Sequence, residues 1–249
     1  MGLGSRREIE DWIAAGRLTV DGAVATLGQR IRAEQAVALD GKPLYTETRR
    51  VPRIVHVLNK PAGTVCTRRD PEGRPTVFEL FPRALARQLV AVGRLDFNTA
   101  GLLIFTTDGE LAHRLMHPSY GVMREYAVRI FGRVEDAVLA RLREGVDVDG
   151  ERLAFDEAER QAGGGINEWY VCRLKTGRNR EVRRLWESQG LTVSRLIRVR
   201  FGPLTLPRRL PTGRHAPVSG AELEALYHAV GLMPPAPSSP ATPRAPRGS

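Results

Sequence analysis

Cysteine, histidine and long apolar runs are scarce in this sequence of 249 amino acids, and each scarcity excludes a class of protein. Its two cysteines, Cys66 and Cys172, are too few and too isolated for a disulfide framework or a thiolate zinc site. The five histidines show no paired ligand spacing. No uncharged apolar run approaches the roughly 18 to 20 residues that span a bilayer, and the N-terminus lacks the apolar core of a signal peptide. We therefore expect a cytoplasmic protein that binds no metal and no membrane.

Lysine is also scarce, although the chain is strongly basic. Only three of the 38 basic residues are lysines, and the formal net charge is +10. The arginine excess favours bidentate contacts with phosphates or bases, although genomic GC bias would produce it equally well. The net charge is concentrated in residues 173–214, which hold 12 basic and two acidic residues. This concentration predicts a polyanionic partner, the alternative being a solvated face.

Composition divides the chain into three segments: 1–48, 53–232 and 234–249. The first segment begins with a capping-box pattern at Ser5 and Glu8, followed by one apolar helix face and short strands around Asp-Gly turns. The last 16 residues hold six of the 17 prolines and no large apolar residue, so they predict a disordered tail.

The central segment predicts an α+β fold with a mixed, mostly antiparallel sheet and flanking helices. Strands outnumber helices, and several neighbouring strands lack a crossover helix between them. The predicted strands are Ile54–Leu58, Leu89–Val92, Leu102–Phe105, Glu125–Phe131, Trp169–Leu174 and Leu196–Phe201. The predicted helices start at Asp108, Glu135, Asn179 and Ser219.

Three polar segments beside apolar strands are candidates for a functional cleft: residues 93–111, 124–128 and 177–186. In the first, Asp96 and Asn98 lie in a polar turn between two apolar runs, a pattern that an ordinary hairpin loop would also produce. Asp108 is better explained as a helix N-cap, and we assign it no chemistry.

These segments carry a specific resemblance to a known family. The motifs GRLD followed by NTAGLLIFTTDGELAHRLMHP, then REYAV, then TGRNREVRRLWE, resemble the core motifs of the RsuA family of RNA pseudouridine synthases. The resemblance covers roughly residues 53–229. The segments RRDPEGRPTVF, GGGINEWY and VSRLIRVRFG are most similar to the branch that modifies large-subunit ribosomal RNA.

The N-terminal segment GSRREIEDWIAAGRLTVDG is similar to the back part of the small S-four-type RNA-binding domain of that family. The family's domain begins with a further helix, which is missing here. We expect either a start codon assigned too late, which we favour, or a truncated domain.

The resemblance implies roles for three residues in the conversion of uridine to pseudouridine. Asp96 would be the catalytic carboxylate, attacking the anomeric carbon or promoting elimination to a glycal. Arg183 would pair with Asp96 through a bidentate contact that keeps the carboxylate ionised, the alternative being a phosphate contact. Tyr126 would stack on the target base, whereas without the motif a strand tyrosine is more often a core residue.

The resemblance further implies ribosomal RNA as the partner, 23S rRNA of the large subunit in particular, with no DNA and no cofactor. We expect a monomer that flips the target base out of its stack. Alternatives are a sister enzyme acting on small-subunit rRNA and a non-catalytic ribosome-assembly factor. The candidate RNA-binding residues are Lys60, Arg68, Arg69, Arg74, Arg94, Arg124, Arg178, Arg180 and Arg184.

Overall fold

The structure is a computed structural model that describes residues 6–32, 34–44, 52–161 and 167–235. The chain divides into two compact units, Met1–Pro52 and Arg53–Ser249. The predicted cap at Ser5 and all but the first two residues of the predicted tail lie outside the described residues. No helix in the described ranges is long and apolar enough to cross a membrane.

The first unit contains one helix and a small antiparallel sheet. Helix α1 spans Arg6–Ala14, and the strands are β1 (Leu18–Val20), β2 (Ala23–Val24), β3 (Val37–Leu39) and β4 (Lys42–Leu44). They lie in the order β2-β1-β3-β4. The predicted Asp-Gly turns are present, since Asp21, Gly22, Asp40 and Gly41 all have positive φ, the geometry that tight hairpins require.

The second unit is built on a nine-stranded sheet within the described residues. The strands are β5 (Val55–Lys60), β6 (Val90–Val92), β7 (Ala100–Thr106), β8 (Arg124–Phe131), β11 (Glu157–Arg160), β12 (Asn167–Leu174), β13 (Val193–Phe201), β14 (Leu204–Thr205) and β15 (His215–Pro217). The main order is β11-β12-β8-β13-β7-β5-β15, with β14 paired to β13 and β6 paired to β7. Of the pairs described, only β7 with β13 is parallel, which confirms the predicted mixed, mostly antiparallel sheet.

Helices and one hairpin surround this sheet. The helices are α2 (Arg83–Ala86), α3 (Gly109–Met116), α4 (Asp136–Glu144), α5 (Glu181–Glu187) and α6 (Gly220–His228), with 3-10 turns at Val77–Leu80 and Pro118–Tyr120. The hairpin pairs β9 (Val146–Val148) with β10 (Glu151–Leu153) through an Asp149-Gly150 turn in which both residues have positive φ.

Strand β7 lies at the centre of the core because it is apolar on both faces. Leu103 and Phe105 pack into one cluster of buried residues, whereas Leu102 and Ile104 pack into a second cluster. A strand covered on both faces has a continuous apolar sequence rather than an alternating one. The strand therefore forms a rigid support for the polar turn that precedes it.

Three of the four predicted helix starts are confirmed, and the fourth is wrong. Asp108, Glu135 and Ser219 are the N-caps of α3, α4 and α6, and the Asp108 carboxylate accepts from the amides of the first turn of α3. Helix α5 begins at Glu181 rather than Asn179, because Arg180 adopts the left-handed conformation (φ +48°, ψ +25°) that precedes the helix. Arg180 and Arg184 therefore do not share a helix face.

Candidate active site

Asp96, Tyr126 and Arg183 line one cleft of about 1080 Å³ in the second unit. They come from different elements: the turn before β7, strand β8 and helix α5. Among the described residues, nine basic and three acidic side chains line this cleft. The cleft is therefore strongly positive, as a site for a polyanion requires.

Asp96 is the one of these three acids whose carboxylate has no hydrogen-bond or ion-pair partner among the described residues. Asp70 forms an ion pair with Arg74 at 2.8 Å. The Glu181 carboxylate accepts from the Thr176 hydroxyl at 2.7 Å and the Arg178 amide at 3.0 Å. A partly exposed carboxylate without a protein partner keeps its lone pairs available to a substrate.

The turn that carries Asp96 is held in place by Lys60. The Lys60 side chain has no exposed surface, and its ammonium donates to the backbone carbonyls of Asp96 (3.2 Å), Phe97 (3.4 Å) and Thr99 (2.8 Å). The Gly63 amide also donates to the Phe97 carbonyl, at 2.8 Å. Several donors converging on one turn fix the position of its carboxylate.

This burial corrects one of the predicted RNA contacts. Because Lys60 is enclosed and its ammonium is directed to backbone carbonyls, it is not available to RNA. Burial lowers the Lys60 pKa from 10.5 to about 8, although the nearby Cys66 thiol and Asp96 carboxylate oppose the shift.

Arg183 lies in the cleft wall, but the predicted bidentate pair with Asp96 is absent from the described contacts. Its guanidinium donates to the backbone carbonyls of Val193 (3.1 Å) and Asn98 (3.2 Å). Burial lowers the pKa of Arg183, and the charge of Arg180 adds to this effect, whereas the charge of Asp96 opposes it. Arg183 thus joins the start of β13 to the Asp96 turn without a hydrogen bond to the Asp96 carboxylate among the described contacts.

Tyr126 is both a core residue and a cleft residue. It is 8% exposed, lies on the inward face of β8, and belongs to the larger cluster of buried residues. It also lines the cleft. The two interpretations of a strand tyrosine are therefore compatible, since Tyr126 packs in the core and also lines the cleft.

The other predicted RNA-binding arginines fall into two groups. Arg94, Arg178 and Arg180 are exposed and line the cleft, with Arg178 donating to the Arg152 carbonyl at 3.1 Å and Arg180 pairing with Glu187 at 3.4 Å, and Arg69 is exposed outside it. Arg124 and Arg184 are committed to the protein itself, so the expectation that they bind RNA is corrected. The Arg124 guanidinium is buried and donates to the carbonyls of Val122 and Lys175. Arg184 binds the β9–β10 hairpin through Glu151 at 2.6 Å and Asp149 at 3.2 Å.

Two further arginines at the cleft are partly occupied. Arg68 donates to the carbonyls of Ala86 and Leu89 and lies over the Phe78 ring. Arg74 pairs with Asp70 and Glu72. Both line the cleft and keep exposed surface, so an RNA phosphate would compete with these contacts rather than find an unoccupied cation.

Sequence reasoning missed two buried polar residues of the cleft, Thr99 and Arg198. Both line it, and each has a buried polar side-chain atom without a hydrogen-bond partner among the described residues. The alternation of the strand could have indicated that Arg198 is buried, because Arg198 lies on the same face of the strand as the apolar Leu196. In the described ranges, no group of three or more histidine, cysteine or acidic residues could hold a metal ion.

Comparison with known proteins identifies the class to which this fold and cleft belong. Residues 54–188 match the RNA pseudouridylate synthase family, and residues 1–37 match the S4 domain. The chain belongs to the RNA pseudouridylate synthase family, which confirms the resemblance predicted from the motifs. A solved structure described as a pseudouridylate synthase superposes with a TM-score of 0.65 at 27% identity, covering 89% of this chain and 94% of that one.

The curated relatives reported next all carry the name of one kind of synthase. The chain is 52% identical to the ribosomal large subunit pseudouridine synthase B of Pseudomonas aeruginosa, over 94% of this chain and 61% of that protein. It is 53% identical to the synthase B of Haemophilus influenzae, over 93% of this chain and 66% of that protein. The Escherichia coli protein of the same name is 52% identical, over 94% of this chain and 81% of that one. The chain thus spans less than two thirds of the first two relatives.

Proposed function

We propose that this protein isomerises a specific uridine to pseudouridine in ribosomal RNA, in 23S rRNA of the large subunit in particular, with Asp96 acting at the ribose. The observation that carries the proposal is the partnerless Asp96 carboxylate in a positive cleft that Tyr126 and Arg183 also line. The similarity to proteins named large subunit synthase B supports the choice of RNA. We further propose that it acts as a monomer in the cytoplasm, on RNA rather than DNA and without a cofactor.

The reaction needs no change of oxidation state. The bond between uracil N1 and ribose C1′ breaks, the base rotates, and a bond forms between uracil C5 and C1′. The proton leaves C5, and N1 gains one. Asp96 would act at the sugar, either by attacking C1′ or by promoting elimination to a glycal.

The surrounding residues suit this chemistry. Lys60 and Arg183 place two positive charges near the carboxylate while bonding to backbone carbonyls, so they leave its oxygens unblocked. Tyr126 would stack on the detached uracil and keep it in the cleft. A cleft of about 1080 Å³ has room for a flipped nucleotide and its neighbours.

The exposed arginines at the cleft would supply affinity. Arg94, Arg178 and Arg180 surround the site with guanidinium groups suited to bidentate phosphate contacts. Arg178 and Arg180 lie in one turn. Its shape is set by the left-handed conformation of Arg180 and by the hydrogen bond from the Arg178 amide to the Glu181 carboxylate. We propose these three, with Arg69 and with partial contributions from Arg68 and Arg74, as the RNA-binding residues.

Release of tritium from RNA that carries [5-³H]uridine tests the proposal, because the C5 hydrogen leaves only when the new carbon bond forms. We expect Asp96→Asn to lower the single-turnover rate by more than about 10³-fold. Its RNA affinity should stay within about tenfold, because phosphate contacts dominate binding.

The matched control is Asp136→Asn, the same chemical change at a carboxylate that is 91% exposed and away from the cleft lining. It should release tritium at the wild-type rate. Normal tritium release by Asp96→Asn would refute the assignment of Asp96.

A further inference from the structure

Arg198 is the least satisfied buried cation of the cleft wall. Arg198 is 2% exposed, and its Nε donates to the Leu102 carbonyl at 2.8 Å. Neither Nη1 nor Nη2 has a hydrogen-bond partner among the described residues, and Nη2 is fully enclosed. By contrast, the buried cations of Lys60 and Arg124 each donate to several carbonyls.

This arrangement is costly unless a ligand completes it. A buried guanidinium without a carboxylate or a full set of acceptors loses hydration that the protein does not replace. Arg124 adds to the cost, since both guanidiniums lie over the Phe201 ring, at 4.9 Å for Arg124 and 5.0 Å for Arg198. Two like charges on one ring leave this part of the wall positive and able to accept an electron-rich group.

The strand pairing places Arg198 between the residues proposed to act on the nucleotide. On one side its backbone pairs with Tyr126 in β8, and on the other with Gly101 in β7, five residues after Asp96. Val199 forms a bulge in β13 directly after Arg198, and bulges next to active sites redirect side chains. The partnerless Thr99 hydroxyl lines the same cleft.

We propose that Arg198 is a further substrate-contacting residue, whose guanidinium donates to a uracil carbonyl oxygen and stabilises the negative charge of the base while it is detached. The inference rests on the proposed isomerase function. When the N1–C1′ bond breaks, its electron pair stays on the uracil, and the charge spreads over N1 and the carbonyl oxygens. The charge disappears when C5 bonds to C1′ and N1 is protonated, so a fixed cation lowers the energy of the intermediate stage only.

The test compares Arg198→Met with Arg129→Met in single-turnover reactions at saturating enzyme. Arg129 is a matched control because its Nε also donates to one oxygen, that of Ser194, and its guanidinium lies over the Trp169 ring, but it does not line the cleft. The RNA carries either uridine or 5-fluorouridine at the target. Conversion is followed by nucleoside digestion and chromatography as loss of the starting nucleoside, because fluorine cannot leave C5 as the proton does and the C-linked product of 5-fluorouridine therefore keeps it.

Arg198→Met should slow uridine conversion about 100-fold, the loss typical of one donor to a developing negative charge. The loss should shrink to about tenfold with 5-fluorouridine, because 5-fluorouracil is the more stable anion and needs less help. Arg129→Met should react like wild type with both RNAs. Arg198→Lys keeps the charge and a donor for the Leu102 carbonyl but removes the guanidinium fork. Its rate should lie between those of Arg198→Met and Arg129→Met, and its loss should also be smaller with 5-fluorouridine than with uridine.

Three results would overturn the inference: a wild-type rate for Arg198→Met, an equal loss on both RNAs, or weaker RNA binding with an unchanged saturating rate. The last would make Arg198 a phosphate contact. If Arg198→Met fails to fold, as its thermal unfolding would show, the dependence on the base in Arg198→Lys decides. If the wild-type protein itself makes no pseudouridine, the proposed function fails first.

Discussion

At the scale of single residues, the charged groups of the cleft are of two kinds. Some are hydrogen-bonded within the protein and hold the cleft together, and others remain available to a ligand. Lys60, Arg124 and Arg183 are cationic, yet each is bonded to backbone carbonyls rather than to a carboxylate. Hydrogen bonds from a charged donor are stronger than neutral ones, so these residues fix turns with few bonds. Asp96 and Arg198 are incompletely partnered groups of opposite charge that line the same cleft.

The lowered pKa of Lys60 predicts that activity and stability respond to pH in opposite directions. Above a pH of about 8 the folded protein loses the Lys60 proton, the charge that holds the Asp96 turn disappears, and the rate should fall. The unfolded chain keeps this proton up to the ordinary pKa of 10.5, so in this window Lys60 makes the folded state more stable as pH rises.

Rate and urea unfolding measured between pH 6.5 and 9.5 check this prediction. In Lys60→Met the rate should be low and should lack the decline that begins near the pKa of about 8. A wild-type rate that stays level across that pH, or a variant that declines in the same way, would contradict the role given to Lys60.

At the scale of elements, the parallel contact between β7 and β13 positions the site. This crossing places the Asp96 turn, which precedes β7, beside Arg198 in β13. Gly101 makes the close approach possible, because a Cβ there would lie 2.3 Å from the Arg198 carbonyl oxygen and 2.8 Å from its amide nitrogen. The φ of Gly101 is +103°, a value that other residues rarely adopt.

We therefore predict that Gly101→Ala lowers the free energy of unfolding by about 2 to 6 kcal/mol, the combined cost of backbone strain and overpacking. Urea denaturation measures this change. Gly109→Ala is the control, since Gly109 lies in α3 with ordinary φ and an added Cβ would meet no atom within 4 Å, and it should leave stability equal or slightly raised. Equal stability of the two variants would show that the crossing tolerates a side chain.

The elements that sequence could predict are those that bury apolar runs. The six predicted strands correspond to β5, β6, β7, β8, β12 and β13, with bounds that differ by at most three residues. Strand β11 (EAER) was not predicted because its sequence is almost entirely polar, and β15 (HAP) was not predicted because it is short and contains proline. Both lie at sheet edges, where pairing rather than burial defines the strand.

At the scale of the whole molecule, the basic residues that produce the net charge have different environments, which the sequence does not show. Of the 12 basic residues in 173–214, four are buried or partly buried, and these are bonded within the protein. They are Arg173, Arg183, Arg184 and Arg198. The family motifs located the segments that form the cleft, but the tertiary partners that distinguish a structural arginine from an exposed one are not visible in sequence.

Pseudouridine mapping of unmodified large-subunit rRNA is the decisive test of the proposed reaction and of its substrate. The purified protein and its Asp96→Asn variant would each be incubated with this RNA, and with small-subunit rRNA in parallel. We expect one new pseudouridine in the large-subunit RNA that is absent with the variant. A modification confined to small-subunit rRNA, or no modification by a folded protein that binds the RNA, would contradict it.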